Sequence, residues 1–306
     1  MDLRQLQYIV AIAEENNITH AAEKLFITQS ALNQQLLKLE KELGIPLFHR
    51  SRTDWRPTEA GEIYLKAAKE ILLIKKDTYN KIHDLAKNQQ GELSVGFTPG
   101  RGIAMFSSVY PKFHQMHPDI RVIPMELSVH KQHSMLLSDN LDLGFVTLAP
   151  SSQKASLAYI PLTSEKILAA VPARYPVSSL SLDSDSFSPF PEIDLYALRE
   201  EPFVLTYQES TLRELTDEIF KKANFKPHVL FETASNETIT TMVSAELCCG
   251  ILPSFYVKRH QDNIHFFSLP DDPTWNVMAC YHKNRYYSKA AKDFVTLAEE
   301  FWIKQE

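Results

Sequence analysis

The stretch Ala21-Ala22-Glu23-Lys24-Leu25-Phe26-Ile27-Thr28-Gln29-Ser30-Ala31-Leu32-Asn33-Gln34-Gln35-Leu36-Leu37-Lys38-Leu39-Glu40-Lys41-Glu42-Leu43-Gly44 decides the fold of the N-terminal part. Ala21, Ala22 and Leu25 share one face of a short helix over 19–25. Phe26-Ile27 leaves room only for a tight joint. Thr28 is a helix N-cap residue, and Gly44 suits the position just past a helix end, where a positive φ costs a glycine least. A second helix over 29–43 follows, with Ala31, Leu32, Leu36, Leu39 and Leu43 expected inward. Its outer face then carries Gln29, Ser30, Asn33, Gln34, Gln35 and Lys38.

Upstream, Leu3, Leu6, Ile9, Val10 and Ala13 recur at helical spacing, which predicts a first amphipathic helix. Downstream, Ile45-Pro46-Leu47-Phe48 is extended, and 50–56 holds three arginines, Arg50, Arg52 and Arg56, against one Asp. Helix, tight joint, helix with an amide-rich outer face, then a basic loop is the order of a winged helix-turn-helix. Amide side chains pair with adenine edges in the major groove, and Ser or Thr bonds a base or a phosphate. Thr28, Gln29, Ser30, Asn33, Gln34 and Lys38 are therefore the candidate groove residues. Arg50, Arg52 and Arg56 are the candidate contacts to the DNA backbone or minor groove.

From Thr58 a long helix is expected to about residue 88, with Ala60, Tyr64, Ala67, Ile71, Ile74, Thr78 and Leu85 near a 3.5-residue repeat. A headpiece of this size is too small to bury that stripe, so a second copy of the chain is the expected partner. From Gly91 the period changes. Strands alternate with helices as in an α/β region with a mostly parallel sheet. Strands are expected over 93–97, 120–127, 141–148, 203–207, 229–233, 250–252, 264–269 and 277–281. Helices are expected over 102–117, 131–137, 211–223, 237–245 and 290–302. Residues 174–191 read as a Pro- and Ser-rich loop.

The chain has 306 residues and a net charge of -6. Thirteen Lys and Arg and twelve Asp and Glu fall in residues 1–90, and nineteen and twenty-six in 91–306. The acidic excess thus lies outside the headpiece, and local basic groups serve phosphate contact. Apolar content of 44% and charged content of 23% exclude global disorder. No apolar run is long enough for a membrane-spanning helix, and no secretory signal is read at the start, so no membrane association and a cytoplasmic location are expected. Cys248, Cys249 and Cys280 are too few for a disulfide framework.

The run 21–50, together with Pro57-Thr58-Glu59-Ala60-Gly61, closely resembles the DNA-binding signature of LysR-type transcriptional regulators; Asn33 stands where that family often has Ser. The resemblance implies three parts: a winged helix-turn-helix domain over 1–58, a linker and dimerisation helix over 59–90, and a periplasmic-binding-protein-like effector domain over 91–306. Lobe I of that domain would be 91–162 with 268–306, and lobe II 163–267, joined by two crossover strands. A small-molecule effector would lie between them, in agreement with the rule that open α/β sheets bind ligands beyond strand C-termini. The family also implies a homodimer, a homotetramer built from dimers, and a pseudo-palindromic double-stranded DNA site. RNA polymerase is a further expected contact.

Candidate effector residues follow from strand ends and helix starts. Thr98-Pro99-Gly100-Arg101 joins a strand to a helix whose first N–H groups attract anions; Arg101 either adds charge there or faces solvent. Ser128, Thr147, Thr206, Tyr207, Ser235 and Asn236 occupy comparable positions. This hydroxyl-rich set suits a small polar metabolite, with a small carboxylate as one class. His114-x-x-His117 and His130-x-x-His133 lack further ligands, so no metal and no resident cofactor are expected. No catalytic residue is nominated, because no triad motif, zinc-hydrolase motif or clear pair of titratable cleft groups is evident. Two other readings remain open at this level: a ligand-binding protein with a headpiece that no longer reads DNA, and an enzyme housed in the α/β part.

Overall fold

In a computed structural model the chain divides into two compact units, Met1–Ala86 and Lys87–Glu306. The structure describes residues 2–50, 55–86, 90–149, 152–176, 180–182, 189–260 and 262–304. Arg52, residues 87–89 of the expected linker end and much of the 174–191 loop lie outside the described residues.

The first unit begins with α1 (Leu3–Glu15), α2 (Ile18–Lys24) and α3 (Gln29–Leu43). Each helix starts on a polar cap. Asp2 accepts from the Gln5 N–H, Asn17 from Thr19 and His20, and Thr28 from Ala31. Asn16 ends α1 and Gly44 ends α3, both with positive φ (47° and 73°). Ile9, Ile12, Ala21, Leu32, Leu36, Leu39 and Leu47 form the core. Leu43, expected inside, is 46% exposed. It sits on the last turn, where α3 has run past the headpiece core. Strands β1 (Phe48–Arg50) and β2 (Trp55–Pro57) pair antiparallel as the wing. Buried Glu40 accepts from the Leu47 N–H at 2.7 Å and forms an ion pair with Arg50, fixing the start of the wing to α3.

Helix α4 (Glu59–Ala86) opens where the Thr58 hydroxyl accepts from the Gly61 N–H at 3.1 Å. It needs a glycine at 61, because a Cβ there would lie 2.1 Å from the Leu47 carbonyl oxygen. Leu65 and Ala68 are buried against the headpiece. Further along, Ile74, Tyr79, Ile82 and Leu85 are exposed, Leu85 by 85%.

The second unit contains β3 (Gly91–Phe97), α5 (Arg101–Met116), β4 (Ile120–Glu126), α6 (Val129–Leu137), β5 (Leu143–Leu148) and β6 (Leu157–Pro172). Next come β7 (Ser181–Leu182), β8 (Glu192–Ile193), β9 (Pro202–Thr206), α7 (Thr211–Lys222), β10 (His228–Thr233), α8 (Asn236–Ser244) and β11 (Gly250–Pro253). The chain continues through α9 (Val257–His260), β12 (Ile264–Ser268), β13 (Thr274–His282) and α10 (Lys289–Ile303). One sheet runs β4-β3-β5-β13-β6; its pairs β3–β4 and β3–β5 are parallel. β13 is antiparallel to both β5 and β6, so the sheet is mixed rather than mostly parallel.

β6 is the longest element absent from the sequence reading. It spans 16 residues and belongs to two sheets. Its first part, from Leu157 to Lys166, pairs with β13. Its second part, from Ile167 to Pro172, pairs with β11 on one side and β12 on the other. A Phe203–Cys249 bridge carries the second sheet on to the parallel pair β9–β10. One apolar core, centred on Phe113, Phe145, Phe294 and Trp302, fills the first lobe. Another, centred on Phe203, Phe220 and Phe267, fills the second, with Trp275 packing against it. No described helix is long and apolar enough to cross a membrane.

Candidate functional site

On α3, Thr28, Gln29, Ser30, Gln34 and Lys38 are exposed and Asn33 is half-buried. Local caps and the inward leucines fix this orientation. The Thr28 hydroxyl also lies 3.1 Å from that of Ser30, so both are ordered by the N-cap. Arg56 is exposed on β2. Arg50 is exposed too, but its guanidinium is paired with Glu40 and stacks 5.9 Å from the Trp55 ring. That leaves Arg50 a positioned cation rather than a freely swinging one. Within the described part of the first unit, the arrangement offers a polar helix face with a cationic wing beside it.

In the second unit, the strand ends converge on a cavity of 340 Å³. From the first lobe it is lined by Thr98, Pro99, Arg101, Ser128 and Thr147. Thr206, Tyr207 and Asn236 line it from the second lobe. The starts of α5, α6, α7 and α8 all reach this wall. Two expected residues do not. Gly100 is the N-cap of α5 with φ 75°, and a Cβ there would lie 3.3 Å from the Tyr256 hydroxyl. Ser235 caps α8, its hydroxyl accepting from the Thr238 N–H at 3.2 Å. The wall also contains Ser210, Glu209, Thr211 and Trp275, which the sequence reading passed over. Ser210 could have been found, since it precedes a helix just as Ser128 and Ser235 do.

Arg101 does not face solvent; it is 4% exposed and forms an ion pair with Glu165, itself 6% exposed. Trp275 Nε1 donates to the same carboxylate at 2.6 Å, and its ring lies 4.6 Å from the guanidinium. Arg101 belongs to α5, Glu165 to β6 and Trp275 to β13. The trio ties α5, β6 and β13 together at the cavity wall and supplies the hydrogen bonds that a desolvated charge pair requires. The sequence reading saw no pair of charged groups here, because 64 residues separate the partners. On the other wall, the Thr206 and Ser210 hydroxyls lie 2.6 Å apart. Arg213 donates to the Thr206 carbonyl, to Glu232 and to Asp217 at 2.7–2.9 Å, holding this strand-to-helix turn. Asn236 Oδ1 is buried with no hydrogen-bond partner among the described residues, which leaves an acceptor for a donor on a bound molecule.

No group of three His, Cys, Asp or Glu suitable for a metal occurs among the described residues. His117 is bonded to Asp293 and His133 to Tyr159. Burial pushes the Cys248 thiol up to about 11 and that of Cys249 to about 12, the reverse of a reactive cysteine.

Two family descriptions match: "Bacterial regulatory helix-turn-helix protein, lysR family" over residues 3–62 and "LysR substrate binding domain" over 86–302. The Bacillus subtilis transcriptional regulator YcgK is 26% identical over 98% of this chain and 94% of its own. AlsR, an HTH-type transcriptional regulator of the same organism, is 28% identical over 83% of this chain and 81% of its own. A full-length OxyR variant from Pseudomonas aeruginosa has a TM-score of 0.70 at 24% identity, covering 99% of this chain and 94% of that one. CbnR in complex with its target DNA has a TM-score of 0.59 at 22% identity, covering 98% and 99%; at these identities both structures speak for the fold.

Proposed function

Because the chain belongs to the LysR family of transcriptional regulators, with a DNA-binding helix-turn-helix and a small-molecule-binding domain, we propose a specific division of labour among its residues. Residues 1–58 bind DNA, 59–90 pair two chains, and 91–306 sense the effector between a lobe of 91–162 with 268–306 and a lobe of 163–267. Thr28, Gln29, Ser30, Asn33, Gln34 and Lys38 face the major groove. Arg50, Arg52 and Arg56 hold the flanking backbone. The exposed apolar residues of α4, among them Ile74, Ile82 and Leu85, are covered by a second copy. Two heads then read the half-sites of a pseudo-palindrome, pairs of dimers form tetramers, RNA polymerase is met at the promoter, and the protein works in the cytoplasm.

The observation that carries the effector reading is the convergence of four helix starts on one 340 Å³ cavity. α5 has no side-chain cap, so its first-turn N–H groups are available to a ligand anion. A small carboxylate seated there would leave Arg101 with Glu165. Bound between lobes, such a molecule shifts the protein between arrangements only by its differential affinity for them. The test is a mobility-shift assay of the full chain on the DNA upstream of its own gene, with scrambled competitor, beside a thermal-shift screen of small carboxylates. A ligand at about 100 times its Kd adds about 2.7 kcal/mol of stability and is expected to alter the shifted complex. Equal competition by scrambled DNA would remove the DNA-reading function. A stabilising ligand that leaves DNA binding and transcription unaltered would remove the sensing one.

A further inference from the structure

Helix α2 closes with a paired hydrogen-bond motif. The Phe26 N–H donates to the Glu23 carbonyl at 3.1 Å and the Ile27 N–H to the Ala22 carbonyl at 3.0 Å. This closure requires a left-handed residue at position 26, where glycine is the usual choice. Phe26 adopts it with φ 54°. The other six described non-glycine residues with positive φ are all Asn, Asp or Glu, types that end turns on polar surfaces. Phe26 is also 95% exposed. It adds nothing to the headpiece core, because Ile27 supplies the packing at this joint. The backbone strain is unfavourable in the isolated fold, and the exposed ring it presents gains nothing there, which points to a contact made elsewhere.

The ring stands two residues ahead of Thr28, in continuity with the exposed α3 start of Thr28, Gln29 and Ser30. The nearest lysine in sequence, Lys24, is engaged by Glu14 and Glu15. An apolar ring at the edge of a groove-reading helix fits the apolar feature that the major groove presents, the thymine 5-methyl group. We propose that Phe26 is a DNA-contacting residue that packs on a thymine methyl at the edge of the half-site. This rests on the reading that α3 enters the groove.

The test uses the full chain and a duplex that it selects from a random-sequence pool. Phe26→Ala is expected to bind that duplex on the order of tenfold more weakly, with little change on scrambled DNA. Replacing single thymines by deoxyuridine should weaken the wild type at one position and leave Phe26→Ala indifferent there. Phe26→Gly keeps the helix closure without its strain, so its unfolding midpoint should not fall while its DNA affinity does. Wild-type affinity in Phe26→Ala, equal losses on scrambled DNA, or no thymine with this coupling would each overturn the proposal. So would intact DNA binding with lost promoter activity, which would assign the ring to a protein partner. Gln29→Ala runs alongside: if it weakens selective binding and Phe26→Ala does not, only this inference fails, whereas no effect of either removes the groove reading itself.

Discussion

Arg101 and Glu165 form a buried ion pair that connects the first turn of α5 to the strand shared by both lobes. Removing one partner leaves a desolvated charge without its counter-ion, at a cost of about 3–5 kcal/mol. Arg101→Met and Glu165→Leu should each lower the urea midpoint strongly. The double variant should recover much of the loss, since the two apolar side chains suit the same buried space. Equilibrium unfolding checks this; single variants within about 1 kcal/mol of the wild type would show that the pair is solvated in solution.

Gly61→Ala should disable the headpiece selectively. Its Cβ would meet the Leu47 carbonyl oxygen at 2.1 Å. The same oxygen accepts the Thr58 N–H at 2.9 Å, so it cannot retreat without losing that bond. A destabilisation of about 1–3 kcal/mol or more follows. The expected result is lost DNA binding with an unchanged ligand-induced thermal shift of the second unit. Full DNA affinity in this variant would contradict the close approach.

Gln29→Ala and Arg56→Ala should fail in different ways. Loss of a base-reading amide weakens selective binding by about 1–3 kcal/mol and spares nonspecific binding. Loss of a phosphate contact weakens all sequences and lowers the salt slope by about 1. The same outcome is expected of Arg52→Ala. Titrations at several salt concentrations distinguish the two patterns, and an unchanged slope strikes the arginine from the phosphate contacts.

His133 is neutral in the fold. Burial lowers its pKa to about 4, with Lys154 and His130 adding to the shift. Its folded value lies below the unfolded 6.5, so the unfolded chain takes up the proton first. Stability is therefore full above about pH 6.5 and falls as the pH drops towards 4, by about 3 kcal/mol for this residue. His133→Asn should flatten that part of the acid limb. An equally steep limb in the variant would place the titration elsewhere.

The cysteines should be slow. With thiols near 11 and 12, Cys248 and Cys249 have almost no thiolate at pH 7.5. Alkylation should be slow in the folded chain and fast in urea, and hydrogen peroxide should leave DNA binding intact. Rapid labelling of the native protein would indicate opening of the second lobe near β11.

The headpiece was legible because its signals are local. Thr28, Gly44 and the leucines of α3 each act within a turn or two of the chain. The cavity wall was legible where a polar residue ends a strand or starts a helix, as at Thr98, Ser128 and Thr206. β6 was not legible. Pro161, Glu165 and Lys166 interrupt its apolar pattern, and its two halves serve different sheets with different exposed faces. Glu165 belongs to no motif in the sequence, and only the fold brings Arg101 and Trp275 to it. Tertiary pairing of this kind leaves no periodicity for a sequence to display.

The shared strand also sets a rule for chain length. Opposite β13 it already carries one register shift, with Val277 facing Thr163 and Met278 facing Pro161, so that Leu162 is the unmatched residue. A deletion at Leu162 would be absorbed by straightening that kink. A deletion from Leu168 to Val171 has no such reserve: it would turn the remaining residues of the strand inside out between β11 and β12. Tolerance to shortening should therefore differ sharply between positions about six residues, or ~20 Å, apart along one continuous ribbon.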